Sequence, residues 1–372
     1  MKDGSSKLDK ALGAVKQRGL DGLIIYSNGT CSMLRPTYFY YFAELRPMGP
    51  DNALVISKSG DVVLLVTPEW DGARASQNSW VKDVRSTSDF LKDLVAVMRG
   101  FGMTRSIGVV AAAEMVEKTY LTVSQEAKIE PADDIVEEIA GRKTEKELEN
   151  VRKTAEIADT GFNTFLEYAR VGIKEYELSA EMEYNMRKAG ADDNFTLLSS
   201  SKHSYAMHTP TDKRLEEGDL VLGEITPLRH GQFIQLCRTI VLGKPSPLIV
   251  EKYDMLVRAL DHALEPIKPG VPAGMISINM NKVISDAGYK EYCYPPYMRA
   301  RGHGMSVGSI APGGTIDDST KQPLAKNQVI IVHPNQYLPE TGYFACGESI
   351  LVTGTGFERL AKTETKLYVK EV

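Results

Sequence analysis

The run Gly218-Asp219-Leu220-Val221-Leu222-Gly223-Glu224-Ile225, followed by Gln232-Phe233-Ile234-Gln235-Leu236-Cys237-Arg238-Thr239, decides how the chain is read. In a half-buried strand alternate residues share a face. Glu224 is in step with Leu220 and Leu222, while Phe233, Gln235, Cys237 and Thr239 share one face of the next strand. Further on, His333 is in step with Val329 and Ile331. Polar groups on apolar faces are costly unless they meet partners. A set of them therefore predicts a polar site inside a sheet. His303 joins the set from Arg301-Gly302-His303-Gly304, where the glycines permit close backbone approach. His208, in Met207-His208-Thr209-Pro210-Thr211, stands in a loop ahead of the Glu224 strand.

Taken singly, each of these residues has a structural reading. A lone histidine is more often a satisfied hydrogen-bonding group than a catalyst, and His203, His230 and His262 stay in that class. A lone buried cysteine is more often a small hydrophobe than a nucleophile. Glu224 alone would pass for an edge-strand charge. The constellation changes the reading, provided that the strands converge.

Outward from this region, the 372 residues carry 42% apolar and 25% charged residues and a formal net charge of -5. The length favours two domains with ample core. Mild acidity argues against a protein that grips nucleic-acid phosphates, and no run approaches a membrane span. The polar, mixed-charge Met1–Lys10 segment does not read as a signal peptide. Cys31, Cys237, Cys293 and Cys346 lie far apart with no CxxC pair, which suits the cytoplasm and excludes a zinc ribbon. All 6 histidines follow residue 202, so any imidazole chemistry belongs to the C-terminal part.

The first part, residues 1–135, alternates strand and helix signals. Leu20–Tyr26, Ala53–Ser57, Val62–Val66 and Ile107–Val110 read as strands, with a hairpin at Ser59-Gly60-Asp61. Helical patterns start at Ser86 and at Ala113–Val123. No GxGxxG or Walker sequence is present. From residue 136 to 372 the order changes. Thr144 and Glu147 form a capping box for a long helix, and a second helix follows at Glu175–Lys188. Strands at Asn194–Ser200, Asp219–Ile225 and Gln232–Leu242 precede helices at Leu248–Leu264 and Met275–Ala287. A strand-rich tail closes the chain. Helices followed by curved antiparallel strands predict an α+β fold.

From Arg142 to Leu360 the chain resembles the pita-bread proteins, the family of creatinase, aminopeptidase P, prolidase and methionine aminopeptidase. The resemblance rests on Lys143-Thr144-x-x-Glu147-Leu148, on His208-Thr209-Pro210-Thr211-Asp212-Lys213-Arg214-Leu215 and on Gly218–Leu222. It is extended by Arg238-Thr239, Gly302-His303-Gly304 and Thr353-Gly354-x-Gly356-x-Glu358-x-Leu360. Residues 1–135 resemble the smaller creatinase-type N-terminal domain. The resemblance implies a pita-bread domain and a hydrolase of a C–N bond in a small polar substrate.

The peptidases of the family hold two metals with two Asp, one His and two Glu. Here those positions fall on Glu224, Gln235, His303, His333 and Gly347, with Glu348 one residue from the last. A further family histidine falls on Ile310. The loss of bridging carboxylates predicts a creatinase-like enzyme with no cofactor. Its candidate catalytic residues are His208 (acid/base), His303, His333, Glu224 and Cys237 (nucleophile). Candidate substrate contacts are Gln235, Phe233, Arg238, Glu348 and Arg46. One alternative keeps a single divalent transition metal on Glu224, Gln235, His303 and His333, for a mononuclear hydrolase or lyase of Xaa-Pro peptidase type. A second alternative is a non-catalytic binding module of the same fold. The resemblance further implies a cytoplasmic homodimer acting on a small molecule, with no nucleic-acid or membrane partner. In that dimer Tyr38–Met48 would form a lid over the partner's site.

Overall fold

The computed structural model describes residues 4–29, 37–308 and 314–372. The chain divides into two compact units, at Ala140 and Gly141. The boundary read from composition, 135, instead falls inside a helix, Asp133–Gly141.

The first unit is built on one six-stranded sheet. Its strands are β1 (Gly22–Ser27), β2 (Asn52–Ser57), β3 (Val62–Val66), β4 (Asp83–Ser86), β5 (Ser106–Val110) and β6 (Lys128–Pro131), in the order β4-β3-β2-β1-β5-β6. The central strands β1 and β2 are buried along their whole length, as their unbroken apolar runs require. The β2–β3 hairpin forms at the expected turn, where Gly60 takes a positive φ of 98°. Its helices are α1 (Gly4–Gln17), α2 (Tyr38–Ala43), α3 (Gly72–Asn78), α4 (Phe90–Gly100), α5 (Glu117–Glu126) and α6 (Asp133–Gly141). Ser86 belongs to β4, and the helix expected from it starts at Phe90, where the Asp89 side chain accepts from the Lys92 N–H. The helix expected at Ala113–Val123 starts later, at Glu117.

The second unit opens with α7 (Glu145–Tyr168) and α8 (Glu175–Lys188). The capping box is present: Thr144 N–H donates to Glu147 Oε2 at 2.9 Å, and Thr144 Oγ1 accepts from the Glu147 N–H at 3.3 Å. Then come β7 (Asp193–Ser201), β8 (Leu220–Arg229), β9 (Gln232–Phe233), β10 (Leu236–Leu242), α9 (Pro247–Leu264) and α10 (Gly274–Ile284). The tail contributes β11 (Gly302–Gly304), β12 (Thr315–Ile316), β13 (Val329–Val332), β14 (Gln336–Leu338), β15 (Gly342–Phe344), β16 (Glu348–Val352), β17 (Phe357–Arg359) and β18 (Tyr368–Lys370).

One sheet runs β18-β10-β8-β7 with β9 beside β8, a second runs β12-β11-β13-β16-β17, and β14 and β15 form a ribbon. The apolar faces of α9 and α10 pack with β-strand residues such as Leu222, Val241, Ile330 and Ile350 into one core. This is the α+β, pita-bread arrangement. No described helix is long and apolar enough to cross a membrane.

Candidate functional site

The two sheets of the second unit meet at a seam. Glu224 on β8 stands directly opposite Cys237 on β10. An isolated bridge then joins Cys237 to Gly347: the Cys237 N–H donates to Gly347 O at 3.3 Å and the Gly347 N–H to Cys237 O at 3.1 Å. Residue 347 must be small. A Cβ there would lie 2.7 Å from His333 Cβ and 3.3 Å from Cys237 Cβ. From the second sheet, His303 on β11 pairs with Ile331 on β13, and His333 follows one residue past the end of β13. The two imidazoles meet edge to face with ring centroids 5.4 Å apart.

The Cys237 thiol is the hub of the cluster. It accepts from Gln235 Nε2 at 3.6 Å and from Asn335 Nδ2 at 3.9 Å, and donates to Glu224 Oε2 at 3.9 Å. Asn335 is itself fixed, since its Oδ1 accepts from the Cys346 N–H at 2.8 Å. Cys237, Gln235 and His333 are buried, whereas Glu224 and His303 keep part of their surface open.

Burial governs the electrostatics. It pushes the Glu224 carboxyl up to about 7, against the opposing pull of Arg299, Cys237 and Gln235. Burial pulls His303 down to about 4, with Arg299 adding to the fall, and His333 down to about 3, with His303 adding to it. Both imidazoles are neutral at pH 7. His303 Nδ1 lies 3.1 Å from the Gly304 carbonyl, which can only accept, so the proton sits on Nδ1 and Nε2 is left as an acceptor. His333 Nδ1 is buried with no hydrogen-bond partner among the described residues, a polar atom left for something outside the chain. Burial, and then Glu224, hold the Cys237 thiol well above its ordinary value. The nucleophile role assigned to Cys237 therefore lacks its thiolate.

The structure thus brings Glu224, Gln235, Cys237, His303 and His333 together. Of the other expected residues of the second unit, His208, Phe233, Arg238 and Glu348 stand outside this cluster. His208 is exposed, and its Nδ1 is 2.8 Å from the neighbouring Thr209 carbonyl; among the described residues it makes no hydrogen bond or ring contact with the cluster. Its motif is a structural staple. Buried Glu175 accepts from the Ser200 N–H at 2.7 Å and from the Thr211 N–H and hydroxyl at 2.9 and 2.6 Å, tying the loop to β7. Phe233 is buried opposite Leu228, as sheet packing rather than a surface open to substrate.

Arg238 and Glu348 were expected to bind substrate. They instead form a fully buried ion pair with each other. Arg238 also donates to the carbonyls of Cys237, Gly347, Thr363 and Glu364, and Glu348 accepts from Thr365. Nothing of the guanidinium is left for a ligand. Arg46 lies in the first unit, where its carbonyl accepts from Arg74 at 2.9 Å. Ile310 and Cys31 fall outside the described residues. The sequence reading missed Asn335, which shares the parity of His333, and Arg299, an exposed loop residue that no pattern announces.

Two sheets joined at a polar seam, with helices packed against them, define the class of pita-bread hydrolases. The sequence profile of metallopeptidase family M24 matches residues 149–354, and the chain belongs to that family. It is 27% identical over 365 residues to the Xaa-Pro dipeptidase of Pyrococcus furiosus, covering 97% of this chain and 99% of that one. The crystal structure of the prolidase from Pyrococcus horikoshii superposes with a TM-score of 0.85 at 26% identity, covering 97% of this chain and 99% of that chain. An Xaa-Pro dipeptidase from Bacillus anthracis shares the fold, with a TM-score of 0.86 at 23% identity over 99% of this chain and 100% of that one. A hydrolase of a C–N bond, as expected from sequence, is the class to which these proteins belong.

Membership of a metallopeptidase family overturns the expectation that the protein works with no cofactor. The donor set is nevertheless not that of a two-ion centre. Gln235 and His333 are neutral where bridging anions would offset the repulsion of paired cations. The space beside Gly347 is filled by His333 and Cys237, and Glu348 points into its pair with Arg238. The single-ion set of Glu224, Gln235, His303 and His333 fits no better. Among the described residues no three His, Cys, Asp or Glu side chains are grouped to hold an ion.

Proposed function

We propose that the protein hydrolyses the C–N bond of short peptides, with Xaa-Pro dipeptides the first class to test. The observation that carries this is that Glu224 and His303, alone among the clustered Glu224, Gln235, Cys237, His303 and His333, keep part of their surface open, in a chain of family M24. A carboxyl brought to about 7 is divided between acid and base at neutral pH, as a group that must take a proton from water and return it to a leaving amine requires. His303, with Nε2 unprotonated, accepts from the incoming water or the substrate N–H. Buried His333, Gln235 and Asn335 orient the substrate amide, and the thiol of Cys237 holds the Glu224 carboxyl in place.

The purified protein should be assayed against Xaa-Pro and proline-free dipeptides, with and without added Mn²⁺, Co²⁺ or Zn²⁺, following free amino acids by mass spectrometry. Faster release of proline than of other C-terminal residues is the expected outcome. Failure to cleave any dipeptide under every condition would sink the reading. Elemental analysis of the same sample is expected to find fewer than two divalent ions per chain. The resemblance to creatinase-like proteins also supports a cytoplasmic homodimer, a proposal that a monomeric mass in sedimentation equilibrium would remove.

A further inference from the structure

One surface of the second unit is paved with aromatic rings. Tyr205 stacks on Tyr337 with centroids 5.3 Å apart and an interplanar angle of 14°, and Tyr297 stacks on Tyr337 at 5.8 Å and 20°. Tyr292 closes on Tyr297 at 4.6 Å, and His203 packs edge-on against Tyr205 and Tyr337. Tyr205 is 75% exposed and Tyr297 37% exposed. A platform of stacked, solvent-facing rings is an apolar patch of the kind that marks a binding surface.

The patch adjoins the candidate site. Tyr337 on β14 stands directly opposite Tyr343 on β15, so their side chains share a face. Tyr343 is the ring next to the cluster: burial first, then Glu224 and Cys237, oppose ionisation of its hydroxyl. Asn335, bonded to the Cys237 thiol, lies two residues before Tyr337.

Charge decides what the platform takes. Glu340 accepts from the Tyr289 hydroxyl at 3.2 Å, and Glu291 and Glu340 both act on the Tyr292 hydroxyl. Both carboxylates are exposed, and neither has an ion-pair partner among the described residues. The end of the aromatic cluster at Tyr289 already holds a cation, with Lys252 Nζ 5.2 Å from the ring centroid. Ring faces and unpaired carboxylates attract the same ligand, a positive charge carried on a flat or compact group.

We propose that this platform is a subsite for a guanidinium or ammonium group of the substrate, so that the enzyme prefers peptides with a basic residue beside the bond it cuts. The substrate assignment rests on the peptidase reading; the cation subsite does not. Arginine amide and its uncharged counterpart, citrulline amide, separate charge from shape, and calorimetric titration of the full-length protein reads their affinities. Arginine amide should bind about tenfold more tightly, with the margin shrinking at high salt. Glu340→Gln and Tyr205→Ala, both at exposed positions outside the cluster, should each cut that margin to less than threefold. Turnover of neutral dipeptides should be unchanged. Equal affinity for the two amides, or a margin that survives both substitutions, overturns the subsite. A cation preference without cleavage of any dipeptide would leave the subsite standing and remove the peptidase reading. Cleavage of neutral dipeptides without a cation preference would do the reverse.

Discussion

Residues 237 and 238, like residues 347 and 348, are chain neighbours that end up on opposite sides of one seam. On one side Arg238 and Glu348 make a fully buried ion pair with every guanidinium arm bonded, although Glu348 Oε2 has no hydrogen-bond partner among the described residues. On the other side Cys237, Gly347, His333 and Glu224 form a cluster of long sulfur contacts, a ring nitrogen with no partner among the described residues and a carboxyl that burial pushes up to about 7. On the first side the two opposite charges meet each other within the fold. The second side is left incomplete, and incompleteness inside a sheet is what a ligand can use.

The sharpest way to break this contrast is to remove one partner of the ion-paired side. Arg238→Met leaves Glu348 charged and buried, and should cost about 3–5 kcal/mol in a denaturant titration. A cost below 1 kcal/mol would show that the pair does not anchor the seam. On the other side, Glu224→Gln should leave folding stability at pH 8 unchanged or raised while lowering kcat/KM about 10²–10⁴-fold. Equal losses of stability and activity would erase the distinction.

An intermediate test uses the crowding at the bridge. Gly347→Ala drives a Cβ onto His333 Cβ and should cost about 1–3 kcal/mol, and adding His333→Gly, which removes that Cβ, should recover part of that cost. Additive losses in the double variant would refute shared space as the cause.

The smallest effect is a slope. His303 and His333 bind protons less readily when folded, so they support stability that is present above about 6.5 and lost as pH falls toward 4. Glu224 acts in the opposite sense, its contribution declining as pH rises through about 7. His333→Gln should therefore flatten the pH dependence of unfolding free energy between 4 and 6.5 by close to one proton, about 1.4 kcal/mol per pH unit.

Much of this fold was legible. The capping box at Thr144 and Glu147 and the bounds of α8 follow from local rules that tertiary packing did not override. The period-2 pattern also placed Glu224 and Cys237 correctly on one face. What failed was long-range. Asp83-Val84-Arg85-Ser86 is a strand only because it lies parallel to β3 at the sheet's edge, and its sequence has no apolar run. His208 belongs to a matching motif, yet the motif serves Glu175 and the loop. Arg238 already sat on the opposite parity from Cys237, but its partner could be named only when the two sheets were brought together. The aromatic platform draws on residues from 203 to 337, a grouping that no window along the chain can reveal.

The absent side chain at Gly347 also limits the substitutions open to this chain. Any side chain at position 347, a carboxylate included, would bring its Cβ to 2.7 Å from His333 Cβ, an atom that every residue except glycine would keep at 333. Exchanging the ring at 333 therefore makes no room by itself: enlarging residue 347 needs the backbone of the Cys237–Gly347 bridge to shift.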